Sequence, residues 1–277
     1  MKKTYILGHP LGHSLSPIMH NAAFKHLGIA AKYLKKDILP KDLSKTIELL
    51  RQNDVFGANV TIPYKLAVMP YMDTLSDAAK AIGAVNTIVN NNGKLLGHNS
   101  DANGYIRALK EHASFEPKGK IALMLGAGGA ARAVAYALLS EGVSNLYIYN
   151  RTFEKANYLA AEFSDFGNIK AIDKAELNEK IENCNLLVNT SSVGMEHNGK
   201  DPKISPVEVL PKSAFVSDIV YRPAKTKLLH DAEAAGLRVQ NGLAMLVYQG
   251  AEAFEMWTGQ NAPSEIMFQS LLAALKE

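Results

Sequence analysis

The sequence predicts an α/β protein of two domains, because strand and helix patterns alternate in two separate stretches of the chain. The first stretch ends near Asp101, and the second begins with the apolar run at residues 121–125. At 277 residues the chain is long enough for two hydrophobic cores of ordinary size. Two helices lie beyond the second stretch, and we expect them to pack back on the first. We therefore place one domain at residues 1–101 plus 242–277 and the other at 102–241.

The first domain is predicted to contain strands at residues 4–8, 32–38 and 55–60, with helices between them. Ser16 precedes Pro17, a pair typical of a helix start, because serine is a good N-cap and proline suits the first helical position. The segment from 84 to 98 has the pattern of a β-hairpin.

The second domain is predicted to alternate strands and helices regularly, which is typical of a parallel sheet with right-handed crossovers. The predicted strands are at residues 121–125, 145–149, 169–172, 185–189, 215–219 and 237–240. The closing helices cover residues 242–257 and about 263–276.

The first strand of the second domain ends in a glycine turn with the spacing G-x-G-x-x-A, a form of the dinucleotide-binding pattern. Gly126 permits a tight turn, Gly128 lets the backbone approach a pyrophosphate, and Ala131 allows close packing of helix and strand. The helix start supplies free N–H groups to an anion. Strand-to-helix turns also need glycine for packing alone, so this pattern depends on its context.

The next strand ends in Asn150-Arg151-Thr152, where an NAD site usually carries an acid for the ribose 2′-hydroxyl. Arg151 and Lys155 are cations that attract a 2′-phosphate, which indicates NADP. The alternative is a solvated helix start. It is less favourable, because cations in the first turn oppose the helix dipole unless an anion is bound there.

Composition excludes several classes of function. A formal net charge of +3 is too small to indicate binding to nucleic acid or to an anionic membrane. Cys184 is the only cysteine, so no intramolecular disulfide forms, as suits a reducing cytoplasm. It lies in an apolar run, which favours a buried side chain over a nucleophile. No histidine falls in a metal-ligand pattern, and we expect no metal site.

Polar residues of the first domain form candidate binding groups. Ser14 and Ser16 stand where two hydroxyls could meet a carboxylate at a helix start, although capping alone would explain Ser16. Asn59 and Thr61 lie two apart at the end of a strand, where open α/β sheets bind ligands.

Three further residues each have a functional and an ordinary interpretation. Pro63 is predicted to start a helix, which places Lys65 in its first turn, either solvated or kept for chemistry. Asp101 opens a helix and could simply be its N-cap. Gln249 flanks the apolar face of the helix over 242–257. An exposed glutamine is the commoner case, but an amide turned inward would need polar partners such as a substrate.

Together these motifs resemble the bacterial biosynthetic shikimate dehydrogenases over essentially the whole chain. The segments that carry the resemblance are Ser14-Leu-Ser16-Pro17, Asn59-Val-Thr61-Ile-Pro63-Tyr-Lys65, Gly83-Ala-Val-Asn86-Thr87, Asn99-Ser-Asp101, Gly126-Ala-Gly-Gly-Ala-Ala131, Asn150-Arg-Thr152, Asn189-Thr190 with Gly194-Met195, and Gln249-Gly250. The glycine turn is shared with many dehydrogenases, whereas the surroundings of Lys65 and Asp101 are far more specific. Asn241-Gly242 departs from the Asp-Gly of many relatives.

The resemblance implies an N-terminal substrate domain, a Rossmann-like NADP-binding domain and an active-site cleft between them. It implies reversible, NADP-linked reduction of 3-dehydroshikimate to shikimate, in aromatic amino acid biosynthesis. The implied catalytic pair is Lys65 and Asp101. The implied substrate ligands are Ser14, Ser16, Asn59, Thr61, Lys65, Asn86, Asp101, Tyr221 and Gln249. The implied cofactor ligands are Gly126, Ala127, Gly128, Gly129, Ala130, Ala131, Asn150, Arg151, Thr152, Lys155, Thr190 and Gly242.

Two other functions remain open. A quinate/shikimate dehydrogenase using NAD is disfavoured by Arg151 and by the missing acid, while Ser14 and Ser16 favour shikimate. An NADP-binding sensor without turnover would keep the glycine turn but would not need Lys65 with Asp101. A reductase with a cysteine nucleophile is excluded because Cys184 is the only thiol. The sequence leaves open whether the protein is a monomer or a homodimer.

Overall fold

A computed structural model describes residues 1–12, 14–195 and 206–275. The chain forms two compact units, one of Met1–Gly104 with Leu246–Glu277 and one of Tyr105–Met245. We call these the first and the second unit. Within the described ranges no helix is both long enough and apolar enough to cross a membrane. Each unit is built on its own six-stranded sheet, which confirms the predicted α/β class.

The strands are β1 (Lys2–Gly8), β2 (Ala31–Asp37), β3 (Val55–Val60), β4 (Thr74–Leu75), β5 (Thr87–Asn91), β6 (Lys94–His98), β7 (Ile121–Leu125), β8 (Asn145–Tyr149), β9 (Ile169–Ile172), β10 (Leu186–Asn189), β11 (Phe215–Asp218) and β12 (Arg238–Gln240). The α-helices are α1 (Ser16–His26), α2 (Leu43–Leu49), α3 (Asp77–Ile82), α4 (Asp101–Arg107), α5 (Gly129–Ser140), α6 (Phe153–Glu162), α7 (Lys174–Lys180), α8 (Lys227–Ala234), α9 (Leu243–Thr258) and α10 (Ser264–Ala274).

The sheet of the first unit is mixed and has the order β2-β1-β3-β5-β6-β4. β1 lies parallel to both β2 and β3, while β5 pairs antiparallel with β3 and with β6, as expected for the hairpin. The carboxyl ends of β1 and β3 therefore lie at the same edge of the sheet. The polar segments that follow these two strands are brought together at that edge.

The last two helices complete the first unit. α10 packs on α1, and Trp257 in α9 donates its indole N–H to the backbone oxygen of Ile88 at 3.0 Å. Gly57 in β3 makes this contact possible, because a Cβ there would lie 2.7 Å from Trp257 Nε1. A larger residue at that position would force the indole away from the sheet.

The sheet of the second unit is entirely parallel and has the order β12-β11-β10-β7-β8-β9. The chain runs outward from β7 to β9 on one side and from β10 to β12 on the other. The point where the order reverses therefore lies between β7 and β10. In doubly wound sheets a ligand binds outside the carboxyl ends of the strands at this point.

One predicted helix is wrong. The segment after β3 forms a series of turns, in which Tyr64 N–H donates to the Thr61 oxygen at 2.9 Å, and not a helix starting at Pro63. The backbone oxygen of Lys65 accepts from the Val85 N–H at 2.8 Å. Because this carbonyl is bonded to the segment before β5, Lys65 is positioned by the sheet and not by a helix start.

Candidate active site

Lys65 and Asp101 form an ion pair in the first unit, with 2.5 Å between Lys65 Nζ and Asp101 Oδ2. Their side chains are only 13% and 8% exposed. Asp101 is the first residue of α4, and its other oxygen, Oδ1, accepts from Asn86 Nδ2 at 2.9 Å. The carboxylate thus binds two side chains, which goes beyond the N-cap role that spacing alone favoured.

Asn86 is held in one orientation by its own neighbours. Its Oδ1 accepts the Ser100 backbone N–H at 2.7 Å, so its Nδ2 must face Asp101. The same Nδ2 lies 3.0 Å from Ser100 Oγ and 3.5 Å from Gln249 Oε1. The amide therefore links the start of α4 with α9 and orients the carboxylate that binds Lys65.

Asn59, near the end of β3, extends the same network. Its Nδ2 donates to Thr87 Oγ1 at 3.2 Å and to the Asn86 backbone oxygen at 3.3 Å, and its Oδ1 accepts from the Tyr33 hydroxyl at 2.8 Å. All of these groups are buried, where an unpaired polar atom costs about 1–3 kcal/mol. This network is therefore a specific arrangement and not a solvated surface.

The sequence prediction missed Tyr33, Thr87 and Ser100. Thr87 and Ser100 fall inside the segments Gly83–Thr87 and Asn99–Asp101 that carried the resemblance, so proximity to those motifs is the signal that could have found them. Tyr33 gave no signal, because a tyrosine in a strand pattern is ordinarily a core residue.

Ser14 and Ser16 lie at the start of α1, but the capping interpretation of Ser16 is wrong. Leu15 occupies the cap position without a side-chain hydrogen bond, and Ser16 is already helical. Ser16 is buried, and its hydroxyl lies near that of Tyr33. Ser14 is half-buried just before the helix, and Thr61 is half-buried just after β3.

Gln249 is turned inward, so the exposed-glutamine alternative is wrong. It is 8% exposed, and its Nε2 donates to the Leu246 backbone oxygen at 2.7 Å. Gly104 in α4 lies directly against it, since a Cβ there would be 2.7 Å from Gln249 N. The glycine lets α4 and α9 approach closely enough for Gln249 to reach Asn86.

The glycine turn of the second unit fits a bound pyrophosphate. Gly126 has φ +115°, and a Cβ there would lie 2.9 Å from Thr190 Oγ1, so the protein itself requires glycine. Gly128, by contrast, would have no protein atom within 4 Å of an added Cβ. Open space beside the free N–H groups at the start of α5 is what close approach of a phosphate needs.

The rest of the glycine turn lies around this space. Ala127 is half-buried between the two glycines, Gly129 and Ala130 begin α5, and Ala131 is fully buried against the sheet. The small residues at 130 and 131 let the first turn of α5 stay close to β7, as the pattern predicts.

The segment after β8 presents two cations near the start of α6. Asn150 Nδ2 donates to the Thr152 oxygen at 2.8 Å, which shapes the turn, and Arg151, Thr152 and Lys155 are exposed. In the ranges that the structure covers, neither Arg151 nor Lys155 forms an ion pair with a carboxylate. Both side chains are therefore available to an anionic ligand.

Three predicted residues of the second unit lie near other strand ends. Thr190 donates its hydroxyl to the Leu125 oxygen at 3.0 Å. Burial raises the pKa of the half-buried Tyr221 above its usual range. A Cβ on Gly242 would lie 2.0 Å from the Ile219 oxygen, so packing alone explains this glycine.

Cys184 is fully buried, and burial raises the pKa of its thiol to about 12. Its thiol donates to the Leu186 oxygen at 3.0 Å. A thiol that stays protonated and inaccessible at neutral pH cannot act as the nucleophile of the site.

Three family models match successive parts of the chain. Residues 6–88 match the shikimate dehydrogenase substrate binding domain, residues 108–200 the shikimate / quinate 5-dehydrogenase model, and residues 242–272 the shikimate 5′-dehydrogenase C-terminal domain. The last match lies in and just before the segment that returns to the first unit.

Individual relatives match over their whole length. The NADP(+) shikimate dehydrogenase of Geobacillus kaustophilus is 44% identical over 100% of both chains. The crystal structure of the Thermus thermophilus enzyme with NADP(H) and shikimate has a TM-score of 0.89 and 40% identity, covering 99% of this chain and 100% of that one. The quinate dehydrogenase of Corynebacterium glutamicum with NAD has a TM-score of 0.90 and 31% identity, covering 98% and 99%. The chain thus belongs to the shikimate dehydrogenase family.

Proposed function

We propose that this protein catalyses the reversible, NADP-linked reduction of 3-dehydroshikimate to shikimate, a step of aromatic amino acid biosynthesis. The observation that carries the proposal is the ion pair of the half-buried Lys65 with the buried Asp101, which Asn86 holds in a network of polar side chains. A sensor that only bound the nucleotide would have no need for this arrangement. Two relatives that are 43% and 44% identical to this chain are NADP(+) shikimate dehydrogenases, which supports the same reaction and cofactor.

Lys65 supplies the proton in this proposal. When bound, NADPH supplies a hydride to the carbonyl carbon of the substrate. The carbonyl oxygen gains negative charge as the C–H bond forms, and a proton from the Lys65 ammonium completes the hydroxyl. In the oxidative direction Lys65 takes this proton back. The Asp101 carboxylate orients Lys65 through the 2.5 Å contact between them.

The polar side chains of the first unit bind the substrate in this proposal. Ser14 and Ser16 donate hydroxyl hydrogen bonds to the carboxylate, and Asn59, Thr61, Asn86 and Gln249 bind the ring hydroxyls together with Lys65 and Asp101. The contact of Asn86 with Gln249, at 3.5 Å, is the longest hydrogen bond in this network and the easiest to exchange for a ligand. We propose Tyr221 as a further ligand of the substrate.

The second unit holds the cofactor in this proposal. Residues 126–131 bind the pyrophosphate, and Thr190 and Gly242 contact other parts of the nucleotide. Asn150, Arg151, Thr152 and Lys155 bind the adenosine end, where the two cations select a 2′-phosphate. We propose a substrate domain of residues 1–101 plus 242–277 and an NADP domain of residues 102–241.

We also propose that the enzyme works in the cytoplasm. Its single unpaired thiol suits a reducing cytoplasm. We propose a monomer or a homodimer, and light scattering with the purified protein distinguishes the two.

The decisive experiment follows absorbance of the reduced nicotinamide while shikimate and quinate are each combined with NADP and NAD. We expect turnover with shikimate and NADP, and far less with any other pair. Efficient turnover of quinate with NAD would instead place the protein with the dehydrogenases of that specificity. NADP binding without turnover of either substrate would overturn the proposal in favour of a sensor.

A further inference from the structure

Asn189 and Asp218 form a buried polar pair that neither the proton transfer nor the substrate contacts use. They are the last residues of the neighbouring strands β10 and β11, and they lie opposite each other in the register. Asn189 Nδ2 donates to Asp218 Oδ1 at 2.9 Å, and both residues are almost wholly buried. Burying an amide and a carboxylate is unfavourable unless their polar atoms are hydrogen-bonded.

Each member of the pair also binds the loop that follows its strand. Asn189 Oδ1 accepts the Ser191 backbone N–H at 3.0 Å, and Asn189 Nδ2 donates to the Val193 oxygen at 3.2 Å. Asp218 Oδ1 accepts the Val220 backbone N–H at 3.0 Å. The two side chains thus fix the backbone of both loops by hydrogen bonds.

Asp218 is itself held by α8. Its Oδ2 accepts the hydroxyl of Thr226 at 2.7 Å, and Thr226 caps α8 by accepting the Leu229 N–H. The hydroxyl therefore donates in one direction and accepts in the other, which fixes the orientation of the carboxylate. The loop geometry is consequently tied to the packed body of the unit.

The two loops carry residues proposed to contact ligands. Thr190 lies against Gly126 of the glycine turn, as the 2.9 Å approach of its hydroxyl to a Cβ there shows. The Val220 oxygen accepts the Gly242 N–H at 3.0 Å, one residue before Tyr221. A change at Asn189 or Asp218 would displace these residues without removing any of them.

The strand order assigns these loops to one half of the nucleotide. Arg151 and Lys155 follow β8 on one side of the reversal point, whereas β10 and β11 lie on the other. A doubly wound sheet binds a dinucleotide across this point, with one mononucleotide on each side. The half opposite the 2′-phosphate is the nicotinamide half.

We propose that Asn189 and Asp218 are positioning residues for the nicotinamide half of NADP, acting through the loops that begin at Thr190 and Ile219. The inference rests on the proposed function, since it takes NADP to be the cofactor. A purely structural role for the pair makes a different prediction. Loosening the whole unit would weaken binding of the adenosine half as much as binding of the complete cofactor.

The test compares two ligands by calorimetric titration, NADP⁺ and adenosine 2′,5′-bisphosphate, which lacks the nicotinamide half. The variants are Asn189→Ala and Asp218→Asn, of which the second keeps the shape of the side chain in case the first fails to fold. Asn185→Ala is the matched control. Asn185 Oδ1 also accepts a backbone N–H of a neighbouring strand, that of Ile121 at 2.9 Å, but Asn185 lies at the opposite end of β10. Arg151→Ala is a second control, because both ligands carry the 2′-phosphate that Arg151 is proposed to bind.

For Asn189→Ala and Asp218→Asn we expect the Kd of NADP⁺ to rise about tenfold, as the loss of one buried hydrogen-bonding group implies, while that of the bisphosphate changes less than about twofold. Asn185→Ala should change neither, and Arg151→Ala should weaken both. An equal rise in the Kd of both ligands in Asn189→Ala or Asp218→Asn would overturn this inference but not the proposed function. Failure of the wild-type protein to bind either ligand would instead overturn the proposed cofactor.

Discussion

Asn86 donates to Asp101 Oδ1 at 2.9 Å, the carboxylate oxygen that Lys65 does not contact. With each oxygen bound by a different side chain, the carboxylate cannot rotate without breaking a buried hydrogen bond. Lys65 is flexible in isolation, but here its ammonium is directed by a fixed partner. The rigid element of the site is thus the amide–carboxylate pair, and the lysine depends on it.

Replacing Lys65 tests the proton transfer. We expect Lys65→Ala to lower kcat by roughly 10²–10⁴-fold, the usual contribution of a general acid, while KM for shikimate changes much less. Steady-state kinetics in both directions measure this split. Lys80→Ala is the control, because Lys80 is an exposed lysine of the same unit paired with Asp77. A large rise in KM with kcat unchanged would show that Lys65 only binds substrate.

Substitution by serine should distinguish the role of Gly126 from that of Gly128. Gly128→Ser should leave stability nearly unchanged, since its backbone is extended at φ −95° and serine is a good N-cap, yet it should weaken NADP binding strongly. Gly126→Ser should destabilise the fold by about 1–3 kcal/mol because of its positive φ and the Thr190 contact. Thermal unfolding and NADP titration of both variants check this. Normal NADP affinity in Gly128→Ser would contradict the proposed pyrophosphate site.

Arg151 and Lys155 should set the preference for NADP over NAD. We expect Arg151→Ala to lower kcat/KM for NADP by roughly 10–100-fold, as the loss of a charge-assisted hydrogen bond implies, and to leave kcat/KM for NAD unchanged. Raising the salt concentration should reduce the wild-type preference, because exposed charges are screened. Lys212→Ala, a change at an exposed lysine bonded to the Ala235 oxygen, is the control. An equal loss with both cofactors would argue against recognition of the phosphate.

Cys184 should be chemically silent in the folded protein. With its pKa raised to about 12 by burial, almost no thiolate exists at pH 8, and the sulfur is inaccessible. Incubation with iodoacetamide should leave activity intact, and mass spectrometry should find no adduct until the protein is unfolded. Rapid loss of activity together with alkylation of the native protein would show that the β10 region opens readily.

Local patterns were sufficient for most strands but not for the segment that carries Lys65. β3, β8 and β9 have the predicted bounds, because short apolar runs between turn residues define a strand locally. The helix predicted at Pro63 does not form, since the Lys65 carbonyl bonds to Val85, twenty residues away. That contact depends on the pairing of β3 with β5, which no local pattern specifies.

Among the site residues, too, local motifs were sufficient for some, whereas others depend on contacts between distant parts of the chain. Lys65, Asn86 and Asp101 were identified by motif, and the structure brings them together. Tyr33 was missed because its hydroxyl reaches Asn59 only when β1 lies between β2 and β3. Ser16 was interpreted as a cap because spacing does not reveal that Leu15 takes that position.

The first unit also needs residues from the far end of the chain. Gln249 meets Asn86 across 163 residues of sequence, and Trp257 meets Ile88 across 169. A ribosome releases the chain from its N-terminus, and domains usually fold in that order. Here the whole of the second unit is synthesised before α9 is complete. The first unit is therefore completed only after the second unit has been synthesised.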